Sequence, residues 1–234
     1  MLLDFLLLFQ NVAADTATDT TTAPAEQTLF EILTEGGPFG LIIVILLLLL
    51  SAVALFIFIE RYLTIKKASR IDDNFMNNIR SNVMNGNLSG AKSLCQSVDS
   101  PVARMIEKGL IRVGKPLRDI EHAIENVGKL EIYKLEKNLS ILSIIAGVAP
   151  MFGFLGTIAG MIQTFQALST AENLSISVIS GGIYVKMFTS ALGLIVGIFA
   201  FICYNYLNTM IDRIVNNMER STSDYIDLLQ DPAG

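Results

Sequence analysis

Three stretches of this sequence stay uncharged for longer than any strand or ordinary soluble helix requires. Residues 36–59 place 24 uncharged positions between Glu35 and Glu60. Residues 138–171 place 34 between Lys137 and Glu172, and residues 187–211 place 25 between Lys186 and Asp212. A helix needs about 20 apolar residues to cross the hydrocarbon core of a bilayer. Lipid offers the backbone no hydrogen-bond partners, so each crossing segment has to be helical. The sequence thus predicts three transmembrane helices. Composition agrees, since 17% of the 234 residues are charged, against about a quarter in soluble domains.

The basic residues orient the chain. All 17 Lys and Arg follow position 60, and residues 1–59 carry only the acids Asp4, Asp15, Asp19, Glu26, Glu31 and Glu35. Arg61, Lys66, Lys67 and Arg70 follow the first stretch, Lys129, Lys134 and Lys137 precede the second, and Arg213 and Arg220 follow the third. With three spans, every one of these flanks falls on one side, which the positive-inside tendency makes the cytoplasm. The N-terminus is then outside and the C-terminus inside. The opening MLLDFLLLFQ and NVAA have the apolar core and small residues of a signal peptide but no basic n-region. They read as an apolar anchor lying on the outer leaflet. DTATDTTTAPAEQT reads as a flexible linker.

Span one is Leu, Ile, Val and Phe almost throughout, so it is a lipid-facing anchor with no chemistry of its own. The polar part carries helical signals. Tyr62–Met84 reads as a continuation of the first helix, MNGNLSG as a break, Leu88–Cys95 as a short helix and Pro101–Arg112 as another. Leu117, Ile120, Ile124, Val127, Leu130 and Leu135 recur at helical spacing. With no Gly or Pro pair to stop it, one helix is expected from about Pro116 to Leu168. Ile211, Ile214, Met218, Tyr225 and Leu228 continue an apolar stripe beyond the third stretch. Four long helices should pack as a bundle. Cys95 and Cys203 lie in different environments and are expected not to pair. His122 has no ligand-spaced neighbours, and no metal site is expected.

The second and third stretches carry the functional signal. Ala146, Ala149, Pro150, Gly153, Gly156, Thr157, Gly160 and Thr164 recur at steps of three and four, on one helical face. The plain reading of the glycines is close helix packing. Thr157 could bond its own helix or line a polar pore. The third span, taken from near Ser177, repeats the pattern with Gly182, Lys186, Thr189, Ser190, Gly193, Gly197 and Ala200, and Tyr204 near its inner end. Lys186 stands out. A charge within a span costs about 2.5–3.5 kcal/mol on insertion scales. If the span begins near Ser177, Lys186 lies about 14 Å deep at 1.5 Å per residue. Its side chain reaches only about 6 Å of that toward the headgroups. The three stretches hold no Asp or Glu. A carboxylate facing Lys186 would come from another chain, or Lys186 is neutral. No phosphate loop, metal-spaced Cys pair or nucleophile–His arrangement appears, so the chain is not expected to be an enzyme. Nothing calls for nucleic acid.

APMFGFLGTIAGMIQTF (149–165) and GGIYVKMFTSALGLIVGIFAFICYNYL (181–207) resemble the MotA/TolQ/ExbB proton-channel family, most closely its ExbB branch. The matching patterns are A-P-x-x-G-x-L-G-T-x-x-G-M and a second one of Gly182, Ile183, Ser190, Ala191, Gly193 and Leu194. The resemblance implies an all-α integral membrane protein of the bacterial inner membrane. Its parts would be a periplasmic segment 1–37, spans at 38–60, 139–168 and 177–207, a cytoplasmic helical domain 61–138, a periplasmic loop 169–176 and a cytoplasmic C-terminal helix 208–234. Two of the spans would extend into a cytoplasmic bundle. It further implies a homopentamer around a dimer of ExbD-like single-span partners with a transmembrane Asp. Protons would be the coupling ion, with no cofactor, and a TonB-like transducer would open outer-membrane transporters for siderophores, haem or vitamin B12.

Thr157 and Ser190 fall on the family's two pore threonines, with Lys186 and Thr189 expected beside them in the proton pathway. Gly153, Gly156, Gly160, Gly193, Gly197 and Pro150 are expected to serve helix packing. Some relatives carry a glutamate where this chain has Val185. Lys186 beside it is expected to face the partner's aspartate and lower its pKa. A TolQ-like role in the Tol–Pal envelope system and a non-conducting scaffold are the alternatives. The flagellar branch has four spans.

Overall fold

The three apolar stretches are three long helices. A computed structural model of the chain describes residues 37–69, 72, 74–170 and 176–230. The expected N-terminal anchor, residues 171–175 of the expected periplasmic loop and the side chain of Val185 lie outside the described residues. In chain order the elements are α1 (Gly37–Ala68), α2 (Phe75–Met84), α3 (Leu88–Ser97), α4 (Pro101–Leu110), α5 (Leu117–Glu136), α6 (Leu139–Thr170) and α7 (Ile176–Gln230). No strand occurs among the described residues. Three helical stretches are long and apolar enough to cross a membrane. They are Gly40–Ala68, Leu117–Gln166 (running through α5 and α6) and Lys186–Gln230. The 55 residues of α7 span about 82 Å at 1.5 Å per residue, so this helix reaches from the apolar end through the whole polar part.

At the apolar end α1 packs against both α6 and α7 through Ile43, Leu47 and Ala54, which meet Ile145, Ala149 and Ala200. Large residues on the remaining faces, such as Phe56, Ile144, Phe154 and Phe201, are exposed. That is the pattern of helices that face lipid or other subunits.

The polar part gathers around a second core. Ile79, Cys95, Ile106, Ile124, Leu207, Ile211, Met218 and Tyr225 are buried together there. Its short helices are delimited by local chemistry. The Asn87 side chain accepts from the Gly90 amide at 3.0 Å and caps α3. The Ser100 hydroxyl accepts from the Ala103 amide at 3.2 Å, with Pro101 in the first turn of α4. Both are standard N-terminal devices. Gly86 (φ 71°) and Gly114 (φ 94°) make the turns before α3 and α5, in backbone regions that side chains disfavour.

Several expectations need correcting. The helix expected over 62–84 is two helices, because α1 ends at Ala68 and α2 starts at Phe75. The helix expected over 116–168 is also two. Lys137 is extended (φ −49°, ψ 133°) and Asn138 is left-handed (φ 65°). Asn tolerates that region because its short amide can bond locally. The polar part is accordingly built from three ten-residue helices, α5 and the end of α7, not from four long helices. On α5, Leu130 is 61% exposed. The buried face runs instead through Ile120, Ala123, Ile124, Gly128, Glu131 and Leu135.

Candidate functional site

α6 and α7 touch backbone to backbone because each presents glycine at the crossing. A Cβ at Gly193 would stand 2.7 Å from Gly153 Cα and 2.8 Å from the Ala149 carbonyl oxygen. A Cβ at Gly153 would stand 3.0 Å from both Gly193 Cα and the Ser190 carbonyl oxygen. Only small residues let helix axes come this close in an apolar medium. One turn further, Gly197 receives Pro150, whose Cγ lies 2.5 Å from the Cβ position. Pro150 has no N–H to donate to the Ala146 carbonyl. That oxygen also lies over Gly197, 3.1 Å from the same position. In the other direction, Gly156 receives Thr189 and Ile43 of α1, and Gly160 receives the stem of Lys186.

This crossing brings Thr157 and Ser190 to the same side. Both line an open groove of about 710 Å³ between α6 and α7, with Phe154, Met161, Met187 and Leu194. Its other lining residues are apolar too, and none is charged. The Thr157 hydroxyl donates to the Phe154 carbonyl at 2.6 Å, and the Thr164 hydroxyl to the Gly160 carbonyl at 3.0 Å. A hydroxyl that donates to its own helix keeps acceptor lone pairs for a second partner.

Lys186 and Thr189 are placed differently. Each is 7% exposed, and neither lines the groove. Lys186 lies in the notch at Gly160, and Thr189 Cγ2 is 3.2 Å from the Cβ position of Gly156. The four polar residues form two pairs, one in the groove and one between the packed helices.

A second polar cluster, which sequence reasoning missed, sits at the other end of the molecule. Glu131 is 3% exposed and accepts from Arg104 Nη2 at 2.6 Å and Lys134 Nζ at 2.7 Å. Arg104 Nη1 donates to Asp99 Oδ1 at 2.6 Å, and Lys67 Nζ lies 2.9 Å from Asp99 Oδ2. Arg61 of α1 donates to the Lys134 carbonyl at 3.2 Å. Burial by itself would push the Glu131 carboxyl up. The hydrogen bonds and charges of Arg104 and Lys134 outweigh it and hold the group below the usual range. Lys67 and Arg104 lower Asp99 in the same way. The signal was an acid in step with an apolar stripe, three residues after Gly128 and four before Leu135.

Cys95 and Cys203 are both buried and free. Burial, with a contribution from Glu107, pushes the Cys95 thiol up to about 12. His122 is exposed, its Nδ1 3.7 Å from Glu125 Oε2. Among the described residues no group of three His, Cys, Asp or Glu could hold a metal ion.

The chain is similar in sequence to several known proteins. It is 28% identical over 197 residues to a putative biopolymer transport protein ExbB homolog of Methanothermobacter thermautotrophicus, covering 82% of this chain and 67% of that protein. It is 21% identical over 203 residues to the biopolymer transport protein ExbB of Neisseria gonorrhoeae, covering 81% of this chain and 91% of the other. It is 33% identical over 97 residues to the Tol-Pal system protein TolQ of Haemophilus influenzae, covering 42% of this chain and 41% of that one. The pattern of one family matches residues 97–220, more than half of the chain, and takes in α4 to α6 and α7 as far as Arg220, with the Gly153–Gly193 crossing and the groove. The chain belongs to the MotA/TolQ/ExbB proton channel family.

Proposed function

We propose that this chain is the channel-wall subunit of an inner-membrane motor of the ExbB–ExbD–TonB kind. One observation carries the reading. Thr157 and Ser190, on two different helices, open onto one uncharged groove. Two hydroxyls can orient a proton carrier but do not themselves titrate in the physiological range. The carrier is then a carboxylate from a second chain. A single-span partner with an aspartate in its helix fits a groove walled by Phe154, Met161 and Leu194.

In this reading several copies, five by family resemblance, stand around a partner dimer with their α6 and α7 faces inward. The placement of every Lys and Arg after position 60 supports an N-terminus outside and a polar bundle in the cytoplasm. Protons binding to and leaving the aspartate, which the hydroxyls orient, drive rotation or rocking of the partner. A TonB-like transducer passes that motion to outer-membrane importers. Lys186, one turn from Ser190 on α7, acts on the aspartate through its field, favouring the carboxylate. Co-expression with the partner and native mass spectrometry tests the assembly. A 5:2 complex supports the reading, and a stable assembly that excludes the partner contradicts it.

The match to TolQ of Haemophilus influenzae favours a second reading, in which the same machine serves the Tol–Pal envelope system. Deletion of the gene separates them. Loss of siderophore, haem or vitamin B12 uptake supports the first, and constriction and envelope defects with uptake intact support the second.

A further inference from the structure

The groove is not the only opening on the α6–α7 seam. A second pocket of about 450 Å³ lies between the same two helices nearer the polar part, lined by Glu136, Ser140, Ser143, Tyr204 and Asn208 among others. Its lining is more polar than the groove's, with a carboxylate, three hydroxyls and an amide set beside Leu139 and Ile144. It sits where α5 gives way to α6, around the extended Lys137 and the left-handed Asn138. The break leaves the last carbonyls of α5 without helical donors, and such groups are satisfied by side chains or by water.

The two openings share one side of the seam. On α6 the positions run Ser140, Ser143, Gly147, Met151, Phe154 and Thr157, at steps of three and four, with Glu136 at the end of α5 lining the same pocket. On α7, Ser190, Leu194, Phe201, Tyr204 and Asn208 keep a matching helical phase. Residues so spaced lie on one helical face. Ten residues separate Ile144 at one opening from Phe154 at the other, about 15 Å along α6. Between them Gly147 meets no neighbouring helix, and nothing beyond its own stretch of α6 comes within 4 Å of where a Cβ would stand. A water needs about 30 Å³ and two to four polar partners, so the pocket holds several and the apolar groove holds them poorly.

We propose that this pocket is the water-filled mouth through which protons enter or leave the channel on the polar side. Rotating hydroxyls of Ser140, Ser143 and Tyr204 keep the water hydrogen-bonded, and Glu136 exchanges protons between it and bulk solvent. A proton leaving the partner's carboxylic acid passes to water at this mouth, leaves a carboxylate behind, and goes on to solvent through Glu136. The inference rests on the channel reading proposed above.

Cysteine accessibility in proteoliposomes of the chain with its co-expressed single-span partner tests it. The probe is a charged, membrane-impermeant methanethiosulfonate, which reacts only with thiols that meet water. Cys95 and Cys203 are buried, so the unsubstituted chain serves as blank. Ser140→Cys and Ser143→Cys should react at least about tenfold faster than Leu48→Cys on the exposed apolar face of α1, a gap of roughly 1.4 kcal/mol in barrier. Labelling Ser143→Cys should then cut proton flux about tenfold relative to the same protein unlabelled. Reaction no faster than Leu48→Cys, or labelling without loss of flux, overturns the proposal. Thr157→Ala run alongside separates the two levels. If it abolishes flux and labelled Ser143→Cys does not lower it, only the mouth is wrong. If flux ignores Thr157→Ala, the channel reading fails and the mouth with it.

Discussion

The side chain of Lys186 occupies the notch that Gly160 leaves on α6, with Lys186 Cγ 2.6 Å from where a Cβ at Gly160 would stand. Gly160→Ala has to expel the lysine stem. Overpacking of this kind costs about 1–3 kcal/mol. Detergent-purified Gly160→Ala should show a lowered thermal midpoint, and Lys186→Ala in the same chain should recover most of it. An unchanged midpoint in the single variant would show that Lys186 has no fixed seat there.

Gly193 differs because its neighbours are backbone. The Gly153 Cα and the Ala149 carbonyl cannot rotate away as a lysine stem can. Gly193→Ala should separate α6 from α7 and cost more than the roughly 3 kcal/mol upper end typical of overpacked cores. The thermal midpoint should fall further than for Gly160→Ala, with reduced yield of assembled protein. Equal effects of the two variants would contradict a backbone contact at the crossing.

The polar bundle should be acid-sensitive through Glu131. Its carboxyl is lowered from the ordinary 4.5 in the folded chain. A lowered folded value means stability that is complete above pH 4.5 and lost as pH falls through the folded value. Asp99 acts in the same direction. Glu131→Gln should remove part of this dependence. At pH 7 it should cost about 1.5–3 kcal/mol, the range for hydrogen bonds to charged groups. Thermal midpoints from pH 7 to pH 3 check this, and parallel curves for the two proteins would exclude it.

How much of this was legible in the sequence follows from what each residue must do alone. The three apolar stretches declare themselves because lipid forbids anything but a helix. The break at Asn138 does not, since neither Lys137 nor Asn138 is a strong breaker, although Asn tolerates the left-handed turn. Glu131 hides in an apolar register because its charge is cancelled by Arg104, 27 positions earlier. Thr157 and Ser190 could be singled out as hydroxyls on small faces. Their separation from Lys186 and Thr189 could not, because it depends on where Gly153 meets Gly193. Thr189 and Ser190 are adjacent in sequence and about 100° apart around α7, so one turns in between the helices and the other toward the groove.

Asn138 gives a local test of that break. Asn138→Gly keeps the left-handed turn and should leave the thermal midpoint nearly unchanged. Asn138→Val places a β-branched residue at φ 65° and should cost about 1–2 kcal/mol. A neutral valine would mean that α5 and α6 can join as one helix.

Proton flux through Thr157 tests the channel reading most directly. The chain and its single-span partner are reconstituted in proteoliposomes carrying an internal pH dye, and flux is followed after an imposed potential. Thr157→Val keeps the side chain's shape and removes the hydroxyl. It should lower flux about 10²-fold, the smaller end of what a positioned proton-transfer group contributes, while native mass spectrometry shows the assembly intact. Thr157→Ser should restore most of the flux. Flux in Thr157→Val equal to that of the unsubstituted complex would contradict a proton path along the groove.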